Sequence, residues 1–225
     1  MIDKIQEDCL FEVLGLFQEL GLNKHVALIG SWAEYFYDEY FEKDYYPEIA
    51  TRDIDFLYRN LRVPDFKIPL ISTLKDHGFI YSENPMTRVA KFYKSNIIEL
   101  EFLTRVIGQD QINYDIKSLG ITSEGIRDLN LLNKYCVEIQ KRGISLFVPQ
   151  PAAYVVHKIL INNKRLKQNK ADKDMRSVRN LLEQIKGNSH QRILFQQIIS
   201  HLSKKERIKF DLICIQKNLD VSSLL

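Results

Sequence analysis

The chain has 225 residues, of which 45% are hydrophobic and 27% are charged, and its formal net charge at pH 7 is +3. These values are ordinary for a globular protein with one large domain or two small ones. The small net charge does not by itself mark a strong nucleic-acid binder, and no apolar run is long enough to span a membrane.

The cysteines and the first residues bear on the compartment. Cys9, Cys136 and Cys214 are widely separated and odd in number, which argues against a disulfide framework. Each lies among apolar residues, which favours a buried and inert thiol. The first eight residues are acidic and contain no apolar signal core. We therefore expect a cytoplasmic protein without a membrane partner.

Up to residue 148 the hydrophobic pattern indicates both helices and strands. Apolar residues that recur every three or four positions predict amphipathic helices, and alternation predicts strands with one buried face. In the strand predicted at 52–58, Ile54, Phe56 and Tyr58 share one face and two aspartates share the other. In chain order we predict a helix at 7–20, a strand at 26–29, a helix at 33–40, a loop at 41–51, the strand at 52–58, a helix at 65–77, strands at 79–82, 88–93 and 97–103, and a hairpin with arms at 135–140 and 144–148.

The composition changes at Pro149-Gln150-Pro151, and only helices are predicted beyond it. Proline suits the first turn of a helix, and Ser203 with Glu206 forms a capping-box pattern. The predicted helices begin at 151 or span 173–185, 191–202 and 204–218. The sequence thus predicts an α/β (α+β) fold with two domains. Residues 1–148 would form the α/β domain, and residues 149–225 a helical domain.

Two of the predicted strands carry pairs of carboxylates on one face. Asp53 and Asp55 alternate with apolar residues, and so do Glu99 and Glu101. Like charges repel one another, so convergence of the two pairs would require cations, and Mg²⁺ prefers such oxygen ligands. Two such ions can hold the attacking and leaving oxygens of a phosphoryl displacement. A solvated strand surface is the alternative interpretation.

Gly30-Ser31 lies where a predicted strand ends and a helix begins, and Ser31 is suited to cap that helix. Backbone N–H groups and the positive end of a helix attract phosphate there. Glycine permits close approach of phosphate to the backbone, and the serine hydroxyl can donate a hydrogen bond. A Gly-Ser pair alone is weak, but together with Asp-x-Asp and a later strand acid it indicates a nucleotide site.

These motifs resemble those of the DNA polymerase beta-like nucleotidyltransferase superfamily. The matching segments are Leu28-Ile29-Gly30-Ser31-Trp32-Ala33, Thr51-Arg52-Asp53-Ile54-Asp55-Phe56-Leu57 and Glu101-Phe102-Leu103-Thr104. Further on, Val148-Pro149-Gln150-Pro151-Ala152, His157-Lys158-Ile159-Leu160, Arg165 and Lys173-Asp174 look like the signature of stand-alone bacterial nucleotidyltransferases, which include relatives of AbiEii-type toxins. The resemblance covers residues 26–180, and the longer segment between Ser31 and Asp53 departs from the minimal pattern.

The resemblance implies a nucleotidyltransferase fold, with a mixed sheet flanked by helices, and a role for each matching residue. Asp53, Asp55 and a third acid would be catalytic and would bind two Mg²⁺ or Mn²⁺ ions. Glu101 is preferred as the third acid because it precedes a hydrophobic-Leu-Thr stretch, and Glu99 on the same face stays the alternative. The implied nucleotide-binding residues are Gly30, Ser31, Lys158, Arg165 and Lys173.

The implied reaction transfers a nucleoside monophosphate from a nucleoside triphosphate to an acceptor hydroxyl and releases pyrophosphate. The acceptor, whether transfer RNA, a small hydroxylated molecule or a protein, stays open, and so does the base. One alternative is a non-catalytic nucleotide-binding or partner-binding module with the same fold. Another is a different two-metal enzyme, such as a phosphatase or a nuclease.

Other signals have a structural interpretation beside the functional one. The basic residues of 164–179 would form either a solvated helix face or a phosphate-binding surface. His157 is better explained as a packed residue than as a catalytic one. The aromatic stretch 36–46 favours packing over a core edge rather than stacking on a base. The basic residues are Lys164, Arg165, Lys167, Lys170, Lys173, Arg176 and Arg179.

Overall fold

The structure is a computed structural model that describes residues 3–41, 45, 47, 51–106, 112–165 and 168–224. Much of the predicted loop at 41–51 and Lys167 of the basic cluster lie outside the described residues. The chain forms two compact units, one of residues 1–33 and 49–148 and the other of residues 34–48 and 149–225. The division into domains 1–148 and 149–225 stays a prediction, from which these units differ in the assignment of residues 34–48.

The first unit is built on a mixed sheet, as the resemblance implied. In the described part of the chain the strands are β1 (Val26–Ile29), β2 (Asp53–Tyr58), β3 (Ile80–Glu83), β4 (Ala90–Lys94), β5 (Ile98–Arg105), β6 (Asn113–Ile116), β7 (Ile121–Ile126), β8 (Cys136–Lys141) and β9 (Ile144–Pro149). The strand order is β3-β4-β5-β2-β1-β9-β8, with β7 paired to β5 and β6 paired to β7. β2 is antiparallel to β1 and parallel to β5, and β4 is antiparallel to β5.

Alternation along the central strands gives this sheet two different apolar layers. On one face, Phe17 of helix α1 (Lys4–Glu19) packs against Phe56 and Phe102, with ring centroids 4.8 Å and 5.9 Å away. On the other face, an apolar cluster includes Leu57, Leu103 and Leu132 of the short helix α3 (Asn130–Lys134). Polar residues of β2 and β5 share that second face with the cluster and begin where it ends.

Four helices dominate the second unit, where only helices were predicted. They are α4 (Pro151–Ile161), α5 (Gln168–Gly187), α6 (Ser189–Ser200) and α7 (Lys204–Gln216). Helix α4 is almost entirely buried and packs against the other three. Pro151 opens α4, and the capping box of Ser203 and Glu206 opens α7, as predicted. No helix within the described ranges is both long and apolar enough to cross a membrane.

Several local predictions were wrong, each for a physical reason. The helix expected at 65–77 is α2 (Leu70–Asp76), since Pro69 disfavours helical geometry in the residue before it. The helix expected at 33–40 is a 3₁₀ segment that begins earlier, Gly30–Glu39. Strands β6 and β7 and helix α3 were missed because elements of four to six residues carry too little periodicity.

Candidate functional site

The four strand carboxylates lie on one face of the sheet in two directly opposed pairs. The parallel register of β2 and β5 places Asp53 opposite Glu99 and Asp55 opposite Glu101. Neighbouring strands are about 4.8 Å apart, so each aspartate backbone is one strand spacing from its glutamate partner. All four residues are of intermediate exposure. The fold therefore brings together the two acidic pairs that the sequence could identify only separately.

A lysine that sequence reasoning missed lies beside these acids. Lys91 is opposite Glu101 in the antiparallel pair of β4 and β5. Its Nζ donates to Glu99 Oε1 at 2.5 Å and also donates to Glu101. The signal lay in the hairpin, because counting outward from the turn at 95–97 pairs residue 91 with residue 101. The ammonium thus neutralises part of the acidic charge from within the sheet.

The three charged groups perturb one another. Burial raises the pKa of Glu101 to about 7; Lys91 opposes this rise, and Glu99 and Asp55 add to it. Burial would also raise the pKa of Glu99, but hydrogen bonds from Lys91 and Glu101 hold it below its usual value. The pKa of Lys91 is raised by the two glutamates in spite of partial burial. The two glutamates therefore titrate as a pair, with the proton favoured on Glu101.

Gly30 is fitted against Asp55. It follows β1 with a φ of +69°, in the left-handed region that glycine adopts at little cost. A Cβ atom built on Gly30 would lie 2.7 Å from Asp55 Oδ2, closer than real contacts allow. Only glycine at this position leaves the Asp55 carboxylate where it is. Ser31 follows in the first turn of the 3₁₀ segment, where we predicted the cap of an α-helix.

The donor set can be compared with what a divalent cation requires. Carboxylate oxygens on adjacent strands are the ligands that Mg²⁺ prefers, and Gly30 keeps the backbone close to Asp55 without filling the space. Within the described ranges, however, no three carboxylate, imidazole or thiol groups converge as a metal cluster. Lys91 is bonded to the two glutamates of the set. By donor type the residues fit such a cation, and the ligand set Asp53, Asp55 and Glu101 stays a prediction.

The remaining predicted residues lie in the second unit, where an ion-pair network orders them. Lys158 is 5% exposed, and its Nζ donates to Asp174 Oδ1 at 2.5 Å. Arg165 Nε donates to the other oxygen, Asp174 Oδ2, at 2.8 Å. Lys173 lies on α5 beside Asp174 and is partly exposed. Their roles in phosphate binding stay predictions, and His157 is buried, in agreement with a packed residue.

Glu34, another residue that sequence reasoning missed, is a buried carboxylate of the second unit. It is 2% exposed and accepts hydrogen bonds from Tyr154 Oη at 2.5 Å, Ser177 Oγ at 2.7 Å and Tyr45 Oη at 3.0 Å. Burial, together with Glu34, raises the pKa of Tyr154 well above its usual value. Because Tyr154 and Ser177 are more than a hundred residues away in the chain, no local pattern could distinguish Glu34 from a surface acid.

A cationic cavity of about 630 Å³ lies at the carboxyl ends of β2 and β5. It contains none of the predicted site residues. Arg59, Arg62 and Arg105 line it, and Arg59 also stacks on Phe147 at 3.9 Å. Arg59 directly follows β2 and is four residue steps from Asp55, a distance of about 13 Å. The apolar cluster with α3 lies along the same stretch of these strands, so this cavity and the acidic pairs are separate features.

Comparison with known proteins supports a single fold family. The model of the family described as Nucleotidyltransferase matches residues 9–197. The structure is similar to that of an antigenic nucleotidyltransferase-like protein from Paracoccidioides brasiliensis, with a TM-score of 0.57 and 15% identity over 95% of this chain and 90% of that one. This likeness and the mixed sheet confirm the predicted fold class.

A second solved structure shows a lower similarity. It is the lincosamide antibiotic adenylyltransferase LnuA with lincomycin bound, at a TM-score of 0.43 and 17% identity over 80% of this chain and 96% of that one. No protein of curated function matches the sequence.

Proposed function

Since this chain belongs to the nucleotidyltransferase family and is a nucleotidyltransferase, as the match over residues 9–197 shows, we propose that it transfers a nucleoside monophosphate from a nucleoside triphosphate to an acceptor hydroxyl and releases pyrophosphate. The observation that carries the proposal is the register of β2 and β5, which sets Asp53 opposite Glu99 and Asp55 opposite Glu101. The fit of Gly30 against Asp55 supports it, because a phosphate-binding turn then adjoins the acids.

Each residue has a stated part in this proposal. Asp53 and Asp55, with Glu101 as the third acid, would hold two Mg²⁺ or Mn²⁺ ions. Such ions, when bound, neutralise the triphosphate and favour ionisation of the acceptor hydroxyl. Glu101 would also help to deprotonate the acceptor hydroxyl. Glu99, which pairs with Lys91 on the same face, is the alternative third acid.

The phosphates would be held by backbone and cationic groups. Gly30 and Ser31 offer backbone N–H groups and a hydroxyl at the end of β1. Lys158, Arg165 and Lys173 are proposed to contact the nucleotide, with Asp174 fixing the first two in orientation. This part of the reaction is positioning and charge neutralisation rather than covalent catalysis by the protein.

The test uses each nucleoside triphosphate labelled at the α-phosphate, with Mg²⁺ and a total cell extract as the source of acceptor. We expect label to enter RNA, protein or a small molecule, and pyrophosphate to appear in equal amount. The double variant Asp53→Asn/Asp55→Asn keeps the shape of both side chains. It should lower the transfer rate at least a thousandfold, because removing groups that stabilise transition-state charge has effects of about this size. Glu19→Gln, an exposed change on α1, is the matched control.

Other outcomes identify other functions. A protein that binds triphosphate without transferring it, and binds it equally well in the double variant, would be a non-catalytic nucleotide-binding module. The contacts of Lys91 with Glu99 and Glu101 favour this alternative, because the ammonium already neutralises part of their charge. Release of inorganic phosphate or cleaved nucleic acid would indicate a phosphatase or a nuclease. Absence of both triphosphate binding and transfer would refute the proposal.

The biological setting is proposed on separate grounds. The resemblance of residues 148–174 to relatives of AbiEii-type toxins suggests that overproduction inhibits growth and that Asp53→Asn/Asp55→Asn removes the inhibition. The three unpaired thiols support a reducing cytoplasm. Transfer RNA, small molecules and proteins are the acceptor classes that the labelling experiment separates.

A further inference from the structure

A polar cavity of about 490 Å³ lies in the first unit beside the acidic pairs. It opens where β5 exchanges one edge partner for another: β4 pairs with residues 98–101 and β7 with residues 103–105. This volume suits a small molecule of about two sugar rings and is too small for a folded nucleic acid. The polar lining includes Ser82, Glu83, Asn84, Lys91, Asn113 and Glu124.

The cavity and the acids lie on the same face of the sheet. Directly opposed residues share a face, and the register pairs Ser82 with Lys91, and Lys91 with Glu101. Glu124 likewise lies opposite Leu103, two residues beyond Glu101 on the same strand and face. Lys91 therefore lies between the cavity and the acids: it lines the cavity, and its ammonium donates hydrogen bonds to Glu99 and Glu101. The strand of Lys91 is two strand spacings, about 10 Å, from that of Asp55.

One wall of the cavity is held in place by its own hydrogen bonds. Asn84 Oδ1 accepts from the backbone N–H groups of Met86 and Thr87, at 2.9 Å and 3.0 Å. Asn113 Nδ2 donates to Thr87 O at 3.0 Å, which ties β6 to this loop. The wall is thus formed before any ligand arrives, and ordering it costs little on binding.

The charge of the lining selects the ligand. Glu83 and Glu124 are carboxylates, and the carboxylate of Glu124 has no salt bridge among the residues that the structure describes. The ammonium of Lys91 is already shared by Glu99 and Glu101, so it does not offset them fully. Arg88 acts on Tyr81, whose hydroxyl donates a hydrogen bond to Glu83. An anionic lining repels the phosphates of RNA and attracts amines.

We propose that this cavity is the acceptor subsite and that it takes a small polyhydroxylated molecule with an amine, about the size of a disaccharide. The proposal rests on the proposed function. The amine binds Glu124, and a hydroxyl at the Lys91 wall faces the acids. The hydroxyl oxygen forms a bond to the α-phosphorus of the nucleoside triphosphate, while the bond to the bridging oxygen breaks. Pyrophosphate leaves with that electron pair, and the hydroxyl proton passes to water.

The experiment compares two disaccharides of the same size and linkage. One is the β-1,4 disaccharide of glucosamine, which carries two amines, and the other is cellobiose, which carries none. Binding is measured by NMR titration, and transfer is measured with α-labelled nucleoside triphosphate and Mg²⁺. We expect the amino disaccharide to bind and to accept label, and cellobiose to bind at least tenfold more weakly, because it lacks the charge-assisted hydrogen bond.

Variants locate the effect. Glu124→Gln should raise the KM for the amino disaccharide about tenfold and leave triphosphate binding unchanged, whereas the control Glu19→Gln should change neither. Ser82→Trp, at an exposed position, should fill the cavity and stop transfer while triphosphate still binds. Equal binding of the two disaccharides, no binding of either, or equal effects of Glu124→Gln and Glu19→Gln would overturn the proposal. So would transfer to RNA that Ser82→Trp leaves intact.

The proposed function and the proposed acceptor subsite would be refuted by different results. If the proposed function is wrong, the unchanged protein neither binds triphosphate nor labels anything in a cell extract. If only the acceptor subsite is wrong, the protein labels an extract component that depends on Asp53 and Asp55 but not on Glu124 or Ser82.

Discussion

Gly30→Ala would test the link between the turn after β1 and the acids that we propose as metal ligands. The substitution places a side chain at φ +69°, where an L-residue loses about 1–2 kcal/mol relative to glycine. It also places a Cβ atom 2.7 Å from Asp55 Oδ2, whereas ordinary contacts begin at 3.4 Å. The carboxylate must therefore retreat by about 0.7 Å (3.4 − 2.7). A displacement of that order in a reacting geometry lowers the rate by about tenfold to a hundredfold.

Gly120→Ala separates the two effects. Gly120 has nearly the same φ, +66°, but a Cβ atom there meets nothing within 4 Å. Urea unfolding should show a loss of about 1–2 kcal/mol in both variants, since both strain the backbone alike. Mg²⁺-dependent triphosphate binding and the transfer rate should fall only in Gly30→Ala. If the two variants have the same affinity and rate, the Asp55 carboxylate tolerates displacement and the reasoning is refuted.

Three further predictions concern buried charges and thiols. Lys158→Met should lower the free energy of unfolding by about 3 kcal/mol in urea titrations, because it leaves the buried carboxylate of Asp174 with Arg165 alone. In metal-free protein, Glu101→Gln should raise the thermal unfolding temperature at pH 8 but not at pH 4. Its folded-state pKa of about 7 exceeds the unfolded value of 4.5, so wild-type stability falls as pH rises through that window. The native thiols should react slowly with a disulfide reagent at pH 8, since burial raises the pKa of each: about 11 for Cys9 and about 12 for Cys136 and Cys214.

Each of these predictions has its own control. Lys186 also pairs with two carboxylates, Glu183 and Asp220, but both are exposed, so Lys186→Met should cost at most about 1 kcal/mol. Equal losses from the two lysine variants would contradict the assignment of a buried pair. A stability gain from Glu101→Gln that does not depend on pH would show that the raised pKa is not its cause. Thiols that react as fast in native protein as in urea would show that burial does not protect them.

Much of the fold followed from local patterns. Alternation placed Asp53 and Asp55 on the face opposite Phe56, because successive side chains of a strand point to opposite sides. The proline at 151 and the pair Ser203 and Glu206 identified two helix starts, because caps depend on neighbours within one turn. The shortest elements, such as α3, were missed because they offer too few positions for a period to show.

The sequence by itself determined which acids and which Gly-Ser turn are candidates for the site, and the tertiary structure decided which of them meet. The pairing of Asp55 with Glu101 and the contact of Lys91 with both glutamates depend on strand order and register. The burial of Glu34 by Tyr154 and Ser177 depends on helices more than a hundred residues away. A strand by itself can pair with many possible neighbours at nearly the same free energy. The strand order and register are therefore fixed by the packing of apolar faces across the whole core.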